Sequence, residues 1–136
     1  MSANWDDRQA APRHVFVIEG EPVVRMLLQE TLTEMGFTSV AFDNAVQALT
    51  HLTCIQGDCT LIIADQGQPG GIQGTEFIRM ANKRWPSIPS ILTSGYLTDE
   101  QVIPPSATYL HKPYTLDQLE KTIATVLRQQ PPLLQN

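Results

Sequence analysis

This chain has little that would tie it to a membrane, a nucleic acid or an oxidising compartment. Its apolar runs fall far short of the roughly 20 residues that cross a bilayer. Its first residues lack the basic-then-apolar order of a signal peptide. Nine Lys and Arg against 14 Asp and Glu leave a formal net charge of -5, which argues against the basic face that a nucleic-acid backbone requires. Only two cysteines occur, Cys54 and Cys59, and their spacing fits neither a zinc site nor a redox motif, so they read as reduced and structural. His14, His51 and His111 are too far apart to suggest metal ligands. Repeats, low-complexity tracts and interdomain linkers are missing as well. These absences leave one cytoplasmic globular domain, and 136 residues suffice for a single substantial core.

What is there is an alternation of apolar runs and helical patterns. Residues 1–13 are polar and aperiodic and read as a disordered lead-in. Val15 to Ile18 forms a buried strand, and Pro22 opens a helix for which Glu21 is a candidate cap and Gly36 a stop. That helix carries Val24, Leu27, Leu28, Thr31, Leu32 and Met35 as its apolar stripe. Val40 to Phe42 is a short second strand, after which Asn44 can cap a helix with Ala45, Ala48, Leu49 and Leu52 facing inward. Leu61 to Ala64 is a third strand, buried on both faces, that stops at Asp65 and a glycine-rich turn. Phe77, Ala81 and Trp85 share one side of a third helix, which Pro86 ends. Ile88 to Thr93 is a fourth strand, and Thr98 with Gln101 opens a fourth helix that Pro104 and Pro105 cut to little more than a turn. Tyr109 to His111 is the fifth strand. Thr115 and Gln118 then form a capping box for a last helix bearing Leu116, Leu119, Ile123, Val126 and Leu127. Five such alternations predict an α/β fold, a doubly wound five-stranded parallel sheet with five helices. Residues 130–136 read as a frayed tail.

The polar residues left over gather at one sheet edge. Glu19 and Glu21 follow the first strand, Asp65 the third, Ser94 the fourth and Lys112 the fifth. Ligands of open parallel sheets bind beyond the carboxyl ends of the strands. Carboxylates, a hydroxyl and an ammonium there suit phosphoryl transfer, with a carboxylate as nucleophile. Each residue has a plainer reading: Asp65 as a turn cap, Ser94 as a turn residue, Lys112 as a solvated strand end, Tyr109 as a half-buried sheet residue.

From about residue 14 to residue 129 the chain resembles the receiver domains of bacterial response regulators, of the chemotaxis-regulator-like, single-domain kind. Val17-Ile18-Glu19-Gly20-Glu21-Pro22 is similar to the family's first-strand acidic motif, and Ile63-Ala64-Asp65 with Pro69-Gly70 to its phosphoacceptor motif. Pro89 to Gly95 resembles its switch strand, and Tyr109 to Tyr114 its Lys-Pro motif. The resemblance implies a flavodoxin-like sheet of order 2-1-3-4-5. It further implies that Asp65 accepts a phosphoryl group from a histidine kinase or phosphotransfer protein, in a domain that catalyses at most its own phosphorylation and hydrolysis. Ser94 and Lys112 would hold the phosphoryl group and Tyr109 would respond to it. Glu19, Asp65 and the backbone carbonyl of Gly67 would hold magnesium. Tyr96, Leu97, Tyr109, Pro113 and Tyr114 would form a partner face for a downstream effector or a weak homodimer.

One departure matters. The family usually places a second acidic residue, a direct metal ligand, where this chain has Gly20. Magnesium is usually held by one or two carboxylates plus waters, so weakened magnesium binding is expected. Two readings therefore stand together: a phosphoaccepting receiver, and a degenerate receiver that works by protein contact without phosphorylation. A nucleotide- or flavin-binding enzyme has less support, because Gly67 to Gly74 matches neither G-x-G-x-x-G nor a loop ending in Lys-Ser/Thr.

Overall fold

Strand β3 (Leu61–Asp65) lies at the centre of the molecule because both of its faces are apolar, and every residue but the terminal Asp65 is buried. The structure, a computed structural model, describes residues 14–67, 71–95 and 103–128. Around β3 are β1 (His14–Ile18), β2 (Thr38–Phe42), β4 (Ser90–Ser94) and β5 (Ala107–His111). All four pairings are parallel, in the order β2-β1-β3-β4-β5. Four helices occur among the described residues: α1 (Pro22–Glu34), α2 (Ala45–Cys54), α3 (Gly74–Arg84) and α4 (Leu116–Arg128). The short helix expected from Thr98 lies outside the described residues, as do both chain ends.

Strand side chains alternate between faces, so each strand feeds two cores. Val15, Val17, Leu61, Ile63, Ile91 and Leu110 meet Leu28 and Leu32 of α1 and Leu119, Ile123 and Val126 of α4. Phe16, Ile18, Ile62, Ala64 and Leu92 meet Ala45, Ala48 and Leu52 of α2 and Phe77, Ile78 and Ala81 of α3. Full burial of one such side chain stabilises by about 1.5–3 kcal/mol, which makes this double layer the main support of the sheet.

The caps fix where the helices start. Asn44 accepts the Gln47 N–H at 2.9 Å. Thr115 and Gln118 form the expected reciprocal pair at 3.0 and 2.8 Å. Glu21 departs from expectation: its side chain makes no capping bond, and its own N–H is taken by Glu19 at 3.0 Å. Two positions of the apolar stripes also differ. Leu27 is 40% exposed and Leu116 50% exposed, because each sits at the rim of its stripe, where α1 and α4 diverge over a groove.

Candidate functional site

The parallel register brings the carboxyl ends of β1, β3, β4 and β5 to one edge. Ile18 pairs with Ala64, Asp65 with Thr93, and Ser94 with His111, so the residues at or just past those ends converge. Glu19, Asp65 and Lys112 form the centre. The Lys112 ammonium lies 2.9 Å from Glu19 Oε1 and 3.0 Å from Asp65 Oδ1. Side-chain exposure is 1% for Glu19, 12% for Asp65 and 21% for Lys112, which makes a shallow pocket with a dry floor. Burial alone would lower the Lys112 pKa. The hydrogen bonds and charges of Glu19 and Asp65 outweigh it and raise the ammonium above its ordinary range.

Glu19 is tied at both oxygens, Oε1 to Lys112 and Oε2 to the Glu21 N–H. Its backbone carbonyl accepts from the Arg25 guanidinium at 2.9 Å. Asp65 Oδ1 also receives the Thr93 hydroxyl at 3.3 Å, and Thr93 is 1% exposed. Ser94, buried, ends β4 beside them; its carbonyl accepts the Lys112 N–H at 2.8 Å and the Tyr109 hydroxyl at 3.1 Å. The same hydroxyl lies 3.1 Å from His111 Nδ1. Gly67 follows Asp65 at the mouth of the pocket, where a Cβ would stand 3.8 Å from Asp65 Oδ2.

The structure therefore gathers Glu19, Asp65, Gly67, Ser94 and Lys112 at one edge. Of the residues expected to share a partner face, Tyr109, Pro113 and Tyr114 are among the described ones. Tyr109 packs on the α2–α3 side of the sheet and Tyr114 on the α1–α4 side. Tyr96 and Leu97 lie outside the described residues, as do Pro69 and Gly70. Pro113 and Tyr114 instead line a mostly apolar groove of about 490 Å³ with Val24, Leu27 and Leu116. The Tyr114 hydroxyl is buried there without a hydrogen-bond partner among the described residues. Burial, with the nearby Glu19 charge, pushes its pKa up to about 12.

Sequence reasoning missed Thr93, Gln66 and the tight fit of Gly74. Gln66 Oε1 accepts the Thr75 N–H at 2.8 Å, and its carbonyl accepts the Gly74 N–H at 3.2 Å. A Cβ on Gly74 would lie 2.5 Å from the Asp65 carbonyl oxygen, so helix α3 is locked directly behind Asp65. A glycine at a helix start after a strand-ending acid was the only signal.

Oxygen donors of the hard kind that magnesium takes are present: the Glu19 and Asp65 carboxylates and the Gly67 carbonyl. With glycine at position 20 only two carboxylates converge. Among the described residues no group of three or more His, Cys, Asp or Glu is placed to hold a metal ion. The donor set thus fits magnesium in kind, with water left to fill half of its six positions.

The family model described as the response regulator receiver domain matches residues 15–124. Among curated proteins, the chain is 30% identical over 120 residues to the sensor kinase CckA of Brucella abortus, covering 85% of this chain and 13% of that protein. It is 30% identical over 129 residues to the hydrogenase transcriptional regulatory protein HoxA of Cupriavidus necator, covering 91% of this chain and 25% of that one. The chain thus spans a quarter or less of either relative. Among solved structures, a response regulator receiver protein from Sinorhizobium medicae superposes with a TM-score of 0.81 at 21% identity, over 88% of this chain and 98% of the other. A CheY-like receiver domain protein from Methanospirillum hungatei gives 0.75 at 21% identity, over 88% and 96%. At these identities the superpositions establish the fold.

Proposed function

The chain belongs to the response regulator receiver family of two-component systems, and from that premise we propose that it accepts a phosphoryl group on Asp65 and signals by protein contact. The observation that carries this reading is the Lys112 ammonium held within 3.0 Å of both Glu19 and Asp65. A buried carboxylate pair is costly unless charge is compensated. Here one cation serves both, on the strand edge where ligands of this sheet type bind.

In this reading an Asp65 oxygen attacks the phosphorus of a partner's phosphohistidine. The P–N bond breaks with its electron pair staying on the imidazole, and an acyl phosphate forms. Lys112 and the Ser94 hydroxyl then hold phosphoryl oxygens, and their interactions are strong because the pocket floor excludes water. Glu19 keeps Lys112 in place. Tyr109, bonded to the Ser94 carbonyl, is positioned to follow any shift of β4.

The residues that would hold magnesium are Glu19, Asp65 and the Gly67 carbonyl; bound there, the ion neutralises charge on the phosphoryl oxygens. Its affinity is lowered by the missing carboxylate at Gly20 and by Lys112, which engages both remaining ones.

Contact with the donor is supported by helix α1 beside the pocket. Val23 and Met26 are 64% and 51% exposed there, next to Leu27 and Leu116 on the groove rim. Large apolar side chains exposed on one helix suit protein contact. The degenerate reading keeps this surface and dispenses with chemistry at Asp65.

Incubation of wild type and Asp65→Asn with a small phosphodonor and magnesium separates the two readings by intact mass. Wild type should gain one phosphoryl group and Asp65→Asn none. A folded wild-type protein that gains nothing would leave only the degenerate reading.

A further inference from the structure

Thr93 is a polar residue in a position that the core would ordinarily fill with an apolar one. It sits in β4 among Ile91, Leu92 and Ser94, is 1% exposed, and pairs across the sheet with Asp65. A buried hydroxyl needs a partner, and among the described residues it has Asp65 Oδ1 at 3.3 Å. Lys112 donates to the same oxygen.

We propose that the Thr93 hydroxyl is a positioning group that shortens the life of the phosphorylated state. It does so by stabilising the Asp65 carboxylate as the leaving group of hydrolysis. This rests on the reading of Asp65 as phosphoacceptor. In hydrolysis a water oxygen bonds to phosphorus and loses a proton to solvent. The bond between phosphorus and the Asp65 oxygen breaks with its electron pair remaining on the carboxylate, and inorganic phosphate departs. Oδ1 then changes from the carbonyl oxygen of a neutral acyl group to one half of an anion. A hydrogen bond to an ionised acceptor is roughly twice as strong as one to a neutral acceptor, so the Thr93 hydroxyl favours the products.

Phosphoryl transfer passes through a loose transition state in which the bond to the leaving group is largely broken. Much of the charge has therefore returned to Asp65 at that point, and the Thr93 bond acts on the hydrolysis rate. In the forward step the bond to Asp65 has barely formed at the same stage. The carboxylate keeps most of its charge there, and the rate of phosphorylation hardly depends on Thr93. This asymmetry separates the proposed role from a purely structural one. At 3.3 Å the contact is longer than the usual 2.7–2.8 Å between hydroxyl and oxygen, which sets the expected effect at about three- to tenfold.

The test uses the whole chain as wild type, Thr93→Val, Thr93→Ala and Thr93→Ser. Each is labelled with a small phosphodonor at saturating magnesium, the donor is removed, and decay is followed by intact mass. Thr93→Val keeps shape and strand preference and loses the hydroxyl; Thr93→Ala provides the same loss should valine disturb folding. Both should label within about twofold of wild type and lose phosphate about three- to tenfold more slowly. Thr93→Ser, which keeps the hydroxyl, should decay like wild type. Decay in Val and Ala at or above the wild-type rate, with wild type labelled, overturns the role of Thr93 alone. So does slow decay shared by Thr93→Ser, which would assign the effect to the lost methyl. If folded wild type does not label, the phosphoacceptor reading fails and takes this inference with it.

Discussion

Gly20 is the residue at which the sequence reading expects this chain's chemistry to depart from its family's pattern. Glu19 is held at both carboxylate oxygens by Lys112 and the Glu21 N–H, and at its carbonyl by Arg25. These contacts fix the Glu19 carboxylate in place. A carboxylate restored at position 20 would stand near a divalent ion. At 4 Å and an effective dielectric of about 20, each pair of unit charges contributes at most ~4 kcal/mol, before water and the doubled ion charge are counted. Gly20→Asp should therefore label at lower magnesium than wild type, with a half-saturating concentration shifted down by about tenfold or more. A magnesium titration followed by intact mass checks this. Coinciding curves for the two proteins would show that Gly20 does not weaken metal binding. The pocket in which this happens could be assembled only in part from single residues. Glu19, Asp65 and Lys112 were legible because charge at the ends of apolar runs stands out. Thr93 was not, because threonine is an ordinary strand residue and only the register sets it opposite Asp65.

At the scale of elements, the strands and the capped helices were the readable part. Continuous apolar runs identified β1, β3 and β4, and hydroxyl or amide caps at Asn44 and Thr115 marked two helix starts that the hydrogen bonds reproduce. The start of α3 was harder. There the Glu76 carboxylate takes the Gln73 N–H at 2.9 Å, and glutamine is not among the favoured N-cap residues. The outer edges of the apolar stripes were also misleading. A stripe shows that a helix has an inner face but not how wide that face is, so Leu27 and Leu116 read as core and lie on a groove rim. That rim, together with Met26 on α1, supports a prediction about the donor. Met26→Asp should slow phosphotransfer from a histidine kinase that phosphorylates the wild type, by about tenfold. That corresponds to roughly 1.4 kcal/mol, the scale of one buried apolar contact with an unpaired charge set against it. Met26 is 51% exposed, so the new charge is screened by solvent and labelling by a small phosphodonor should change less. Equal transfer rates from the kinase would place the docking surface elsewhere.

For the whole molecule, the groups buried around the sheet predict how stability responds to base. Burial pushes the Cys59 thiol up to about 11 from 9.0 and the Tyr114 hydroxyl up to about 12 from 10.0. Lys112 is raised above 10.5 because its carboxylate partners outweigh its desolvation. Each group holds its proton more tightly folded than unfolded. Above pH 9 the native chain thus binds more protons than the unfolded one, and stability falls as pH rises. Urea midpoints should show no loss from these three groups below about pH 9 and a decline from there to pH 12. Tyr114→Phe should flatten the upper part of the decline, since it removes the buried hydroxyl whose pKa is raised there. An unchanged pH profile in that variant would contradict the burial argument.

In the proposed reading the fold, with β3 buried between two cores, offers the Asp65 carboxylate at the strand's end for modification. The most direct measurement locates that modification chemically. Wild-type protein treated with a small phosphodonor and magnesium would be reduced with borohydride, which converts an aspartyl phosphate to homoserine, then digested and sequenced by mass spectrometry. Homoserine is expected at position 65 and at no other aspartate. Homoserine at a different position, or none in a protein that remains folded, would contradict the phosphoacceptor reading.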